Sequence, residues 1–192
     1  MDLNQKIMKE LENIRDIEQI EKLENEYDFQ KALLLDKKMR LMVKEQPELR
    51  PLRKKLRRLM TEYEERVWSD PEQVTDKQLE DSDKAENIVE TERKFIKKRR
   101  DAIRKKLKEY DMTQQDLGDL LGHSKSYISE LMNGVSQFSM RDLVIIHRIF
   151  GIGLKTLIPT YLQSDTQYRI EETIARLNKP KLKLKKNDLV NE

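Results

Sequence analysis

Residues 113 to 134, TQQDLGDLLGHSKSYISELMNG, constrain the fold most, because two short stretches of helical spacing flank a glycine. Thr113 is placed to cap a helix, its hydroxyl accepting from an orphan amide of the first turn, with Asp116 completing a capping-box-like pair. Leu117, Leu120 and Leu121 are expected on one face. Gly118, on the inward side, lets the next helix cross closely because no side chain stands between the backbones. Gly122 suits a tight turn with positive φ. Ser124 is expected to cap a second helix whose inward stripe is Ile128, Leu131 and Met132. The remaining side chains, Lys125, Ser126, Ser129, Glu130 and Asn133, are expected to face out.

The pattern T-Q-x-x-L-G-x-x-L-G, followed by S and then Y-I-S-x-L-x-N-G, resembles the helix-turn-helix of the Xre family over about Phe95 to Ile158. That family includes phage repressors and many bacterial antitoxins. The resemblance implies that Gln114 and Asn133 hold phosphates, contacts that position a protein on DNA without reading sequence. It assigns base reading to Lys125, Ser126 and Glu130, with Ser124 and Tyr127 nearby. Lysine donates to guanine O6 or N7, glutamate accepts from cytosine N4, and serine is permissive. The plainer alternative is an αα-hairpin that keeps the fold without binding DNA. Segment 94 to 110, KFIKKRRDAIRKKLKEY, argues against it with nine basic and two acidic residues. Such a helix supplies salt-dependent phosphate attraction, while Ile96, Ile103, Leu107 and Tyr110 still reach a core.

Composition narrows the remaining classes. With 192 residues and 39% charged side chains, the chain has material for compact helical cores and little more. Five glycines, five prolines and few aromatics, beside abundant Lys, Glu, Leu and Met, favour an all-α chain. The net charge of +3 is small, so its uneven distribution carries the argument. Without cysteine there is no disulfide and no thiol chemistry. The start MDLNQKIMKELENIR lacks a signal core and no run reaches membrane-spanning length, so a soluble, cytoplasmic protein is expected. Only His123 and His147 are present, and neither H-E-x-x-H nor a glycine-rich phosphate loop occurs. No enzyme, cofactor or metal site is expected.

Toward the N-terminus, Leu3, Ile7, Leu11 and Ile14 form a stripe at helical spacing. Asn25 with Asp28 restarts a helix carrying Tyr27, Phe29, Leu33, Leu34, Leu41 and Met42, which Pro47 breaks. From about Pro51 an amphipathic helix follows, with Leu52, Leu56, Leu59, Tyr63 and Val67 opposite a basic face of Arg53, Lys54, Lys55, Arg57 and Arg58. The pair reads as an antiparallel hairpin. The run LENEYDFQKALLLDKKMRLMVKEQPELRPL, with the following helix ending EYEERVW, is similar to the N-terminal domain of HigA antitoxins. That resemblance implies a cytoplasmic antitoxin that neutralises a RelE-like ribonuclease toxin and, as a homodimer on operator DNA, represses its own operon. A stand-alone Xre-type repressor without a toxin partner is the alternative. The first twenty or so residues and the tail after Leu162 extend beyond the family pattern.

Segment 69 to 93, with nine acidic and three basic residues, reads as an extended or partly helical linker. It is either a solubilising connector or an element that a toxin orders. After the motif, a helix from Ser139 or Met140 to Phe150 carries Leu143, Ile146, Ile149 and Phe150. Val144 and Ile145 widen its apolar arc, so it is either deeply buried or meets a second subunit. Leu154, Leu157 and Ile158 close a five-helix domain before Pro159. Residues 163 to 178 read as a further helix with Tyr168, Ile170, Ile174 and Leu177. The KLKLKK run after Pro180 is an edge-strand segment, a basic arm or a disordered end. The expected organisation is therefore a helical domain at 1–68, an acidic linker at 69–93, a helix-turn-helix domain at 94–162, and a helix with basic tail at 163–192.

Overall fold

Asn25 starts the first long helix: its Oδ1 accepts from the Asp28 amide at 2.9 Å, and α1 runs Glu26–Met42. This is the computed structural model of the chain, which describes residues 13–70, 72, 74–159, 162, 170, 173–179 and 181–184. Among these, all regular structure is helical. Before α1 lies a 3-10 turn, Ile14–Glu18. α1 ends at Met42, short of Pro47, which opens a second 3-10 turn, Pro47–Leu49, and α2 follows as Arg50–Val67 with Pro51 in its first turn. A proline there is tolerated because its missing amide belongs to the unpaired first turn.

The acidic stretch does not stay extended. From Asp76 it is the first half of α3, Asp76–Glu109, a single helix of 34 residues. Thr75 and Gln78 form a reciprocal cap, Thr75 Oγ1 accepting from the Gln78 amide at 3.2 Å and Gln78 Oε1 from the Thr75 amide at 2.9 Å. Ala85, Ile88 and Val89 provide a buried stripe on this segment at helical spacing. Arg93 holds Glu90 with two bonds on the exposed side. The remaining helices are α4, Gln114–Leu121; α5, Lys125–Asn133; α6, Met140–Phe150; and α7, Leu154–Leu157. The end of α3 and α4 to α7 supply five helices in the chain order expected from the sequence.

Two compact units divide the chain, one within Met1–Val89 and Gln114–Gln137, the other within Glu90–Thr113 and Phe138–Glu192. In the first, α1 and α2 pair around a core of Ile14, Ile17, Ile20, Leu23, Phe29, Met39, Leu56, Leu59 and Tyr63, which also takes in Val135. Phe29 stacks on Tyr63 at 4.9 Å between centroids. Buried Glu26 pins this core, accepting from Tyr63 Oη, Trp68 Nε1, Gln30 Nε2 and Ser82 Oγ at 3.1 to 3.3 Å. Burial, then the adjacent Glu26 charge, holds the Tyr63 hydroxyl protonated well above its usual range. Arg53, on the basic side of α2, turns back to pair with Asp36 through two bonds of 2.8 and 3.2 Å.

In the second unit Ile103, Leu107, Phe138, Leu143, Ile146, Phe150, Ile152 and Leu157 are buried. Arg99, one of the nine basic residues expected to supply phosphate attraction, is instead buried. Its guanidinium lies over Phe95 and Phe138, and Nη1 donates to the Leu157 carbonyl at 3.3 Å. Ser139 and Asp142 cap α6 reciprocally. That helix is not deeply buried, since Val144 and Ile149 are 44% and 45% exposed. Tyr110 is largely exposed, with its ring 5.8 Å from that of Phe150.

The stripe Leu3, Ile7 and Leu11 lies outside the described residues, and Ile14 sits in a 3-10 turn rather than a long helix. Of the helix expected over 163–178, position 170 and residues 173–176 are described and helical. In the KLKLKK run, Leu182 is exposed and residues 182–184 have no regular structure, while 185 and 186 are outside the described residues.

Candidate nucleic-acid interface

The α4–α5 pair is built around one missing side chain. A Cβ on Gly118 would sit 3.1 Å from the His123 carbonyl oxygen and 3.3 Å from Ile128 Cγ2, so any side chain here would crowd the close crossing. The His123 amide donates to the Gly118 carbonyl at 2.8 Å, and Gly122 takes φ +75° to turn the chain between them. Ser124 caps α5, its Oγ accepting from the Tyr127 amide at 3.3 Å. Gly134 ends α5 in the left-handed region at φ +66°. Leu117, Leu121, Ile128, Leu131 and Met132 are buried. Leu120 is not on that buried face but 45% exposed, because at about 100° per residue it lies to one side of both Leu117 and Leu121.

The expected contact residues do not share one environment. Lys125 and Ser124 are exposed at the start of α5, and the two hydroxyls of Ser124 and Ser126 lie 3.2 Å apart. Tyr127 is half-buried, with its ring edge-on to His123 at 4.9 Å, and Gln114 is half-buried at the start of α4. Asn133 does not present its amide outward, because Nδ2 donates to the Ser129 carbonyl at 2.9 Å within the same helix. Glu130 corrects the expectation most sharply. It was expected to face out, and it is 2% exposed, with Oε2 accepting from Ser136 Oγ at 3.0 Å.

The reason is the N-terminal part of the same unit. At 3.6 residues per turn, Ser126, Glu130 and Asn133 lie opposite the inward stripe of Ile128, Leu131 and Met132. The 3-10 turns and α1 approach the helix near these positions. Gln46 Nε2 donates to the Ser126 carbonyl at 3.4 Å and Lys38 Nζ to the Gly134 carbonyl at 3.0 Å. The Ile14 amide donates to the Val135 carbonyl at 2.7 Å, and Asn13 Oδ1 accepts from the Gln137 amide at 2.9 Å. Burial raises the Glu130 carboxyl above the usual carboxylate range; Glu48 acts the same way, while Ser136 and Arg15 oppose it. These contacts come from residues 80 or more positions away in sequence, and no local pattern announces them.

Positive charge is concentrated on the second half of α3, where Lys94, Lys97, Lys98, Arg104, Lys105 and Lys108 are exposed. Lys106 is tied to Glu109 at 2.6 Å, and His147 Nδ1 lies 2.8 Å from the Ile152 carbonyl oxygen. Among the described residues, no group of three or more His, Asp or Glu is placed to hold a metal ion. No helix among them is long and apolar enough to cross a membrane.

Residues 103–157 match the family model described as Helix-turn-helix, under a third of the chain. The chain thus carries an Xre-type helix-turn-helix domain over those residues, a domain of DNA-binding regulators that are typically not enzymes. No curated protein and no solved structure matches the chain.

Proposed function

We propose, from the helix-turn-helix domain at 103–157, that the protein is a sequence-specific DNA-binding transcriptional regulator in which α5 is the helix that enters the major groove. The observation that carries this reading is the α4–α5 crossing closed on Gly118, with Ser124 capping α5 and Lys125 exposed at its start. Lys125 reads a base, with Ser124, Ser126 and Tyr127 beside it, and Gln114 holds a phosphate at the start of α4. Asn133 joins the phosphate contacts once its amide leaves the Ser129 carbonyl. The exposed lysines and arginines of α3 add sequence-independent attraction that weakens with salt. A homodimer would place two copies of α5 on half-sites about one DNA turn apart, and the exposed Met140, Val144 and Ile149 of α6 supply apolar surface for pairing. Selection of duplexes from a random-sequence library tests the reading. A preferred sequence with a repeated half-site is the expected result, and recovery of no preferred sequence contradicts it.

The finer proposal is that this regulator is an antitoxin of the HigA kind, which neutralises a RelE-like ribonuclease and represses its own operon. Its support is the similarity of LENEYDFQKALLLDKKMRLMVKEQPELRPL to the HigA N-terminal domain, together with α1 and α2 forming the paired helices that similarity implies. Co-expression with the adjacent gene tests it. Rescue of growth and co-purification are expected; a neighbour that is harmless and does not co-purify leaves the regulator without the toxin.

A further inference from the structure

We propose that the N-terminal hairpin masks α5, so that the docked hairpin and a bound duplex are alternative occupants of the same helix. The inference rests on the reading above that α5 enters the groove.

A major groove about 12 Å wide accommodates one helix of about 10–12 Å diameter and no second layer on its reading side. In this protein that side already carries protein. Gln46 and Lys38 bond the Ser126 and Gly134 carbonyls, Asn13 and Ile14 bond the chain at Gln137 and Val135, and Glu130 is buried. Val135 belongs to the same apolar cluster as Ile14, Leu56 and Tyr63. The docked surface therefore begins at the first turn of α5 and continues past its end, which leaves Lys125 and Ser124 open but covers the side opposite the α4 contact.

The masking contact is built to release. Gln46 is buried, yet its Oε1 has no hydrogen-bond partner among the described residues, and a buried polar atom left unpaired opposes docking. The Glu130 carboxylate is likewise held away from water with Ser136 Oγ as its hydrogen-bond donor and Glu48 nearby. Both groups regain hydration when the hairpin leaves. Whatever binds the released hairpin, or the released α5, shifts the balance by its preference for the open form.

The chain has no cysteine, so a lock can be placed where Asn13 meets Gln137. The full-length double variant Asn13→Cys/Gln137→Cys is titrated, oxidised and reduced, against a duplex selected from a random library with the full-length Lys38→Ala protein. We expect oxidation to weaken binding about tenfold or more, within the usual range of coupling between two sites. The reduced protein should bind as the unmodified chain does. Equal affinity in both redox states overturns the masking and leaves the DNA reading standing. Lys38→Ala, which removes the 3.0 Å bond to the Gly134 carbonyl and leaves Gln46 in place, repeats the test without a cross-link and should bind more tightly than the unmodified chain; unchanged or weaker binding contradicts the masking. A selection that yields no preferred duplex overturns the DNA reading and this inference together.

Discussion

Two residues of the α4–α5 region carry tests of their own. Because burial raises the Glu130 carboxyl, the folded state binds its proton more tightly than the unfolded state does. Stability must then fall as pH rises from the ordinary carboxylate range through the raised one, so at neutral pH the ionised group opposes folding. Glu130→Gln keeps an oxygen for Ser136 Oγ and removes the charge. Urea titrations at about pH 5 and about pH 7.5 should show the variant gaining stability relative to the unmodified chain at the higher pH. An equal difference at both values would show that Glu130 does not titrate in this window. Gly118→Ala places a Cβ against the His123 carbonyl and Ile128, and should destabilise by about 1 kcal/mol despite the better helix propensity of alanine. A rise in the urea midpoint would show that the crossing is looser than these distances indicate. Gly118 was legible in the sequence because the constraint is local, whereas Glu130 was not, since the charges that act on it, Arg15 and Glu48, lie far away along the chain.

At the scale of elements, the helices were legible wherever a cap and a stripe coincide. Asn25 with Asp28, Ser124, and Ser139 with Met140 place the starts of α1, α5 and α6 at once. In segment 69 to 93 the acidic composition hid a comparable signal, the T-x-x-Q cap at Thr75 and the stripe of Ala85, Ile88 and Val89. Pairing of α1 with α2 followed from the short connection between them, but the polar pin at Glu26 did not, because its donors Tyr63, Trp68 and Ser82 lie 37 to 56 residues away. Glu26→Ala leaves the buried Tyr63 hydroxyl and the half-buried Trp68 and Ser82 donors without this acceptor and should cost roughly 3 kcal/mol. Trp68 is the single tryptophan, so its emission reports this unit during unfolding. Glu62→Ala, at an exposed position of α2, serves as the control and should stay within about 0.5 kcal/mol. Equal losses in the two variants would remove the special role given to Glu26.

On the scale of the whole molecule, the motif at 113–134 supports the proposed groove-binding helix, and the N-terminal hairpin carries the segment similar to HigA antitoxins and the proposed cover for that helix. Sequence reading reaches the first two because they are carried by contiguous residues. The cover depends on side chains such as Lys38 and Gln46 meeting backbone 96 and 80 residues later, contacts with no periodicity to betray them. The central claim is that α5 reads duplex DNA in a sequence-dependent way. The most direct test is fluorescence anisotropy of the full-length chain and its Lys125→Ala variant on the selected duplex and on a scrambled one at fixed salt. The account predicts that the unmodified chain prefers the selected duplex by about a thousandfold or more, and that Lys125→Ala loses about 1 to 3 kcal/mol of that preference. Equal affinity for the two duplexes, or a preference untouched by Lys125→Ala, would contradict it.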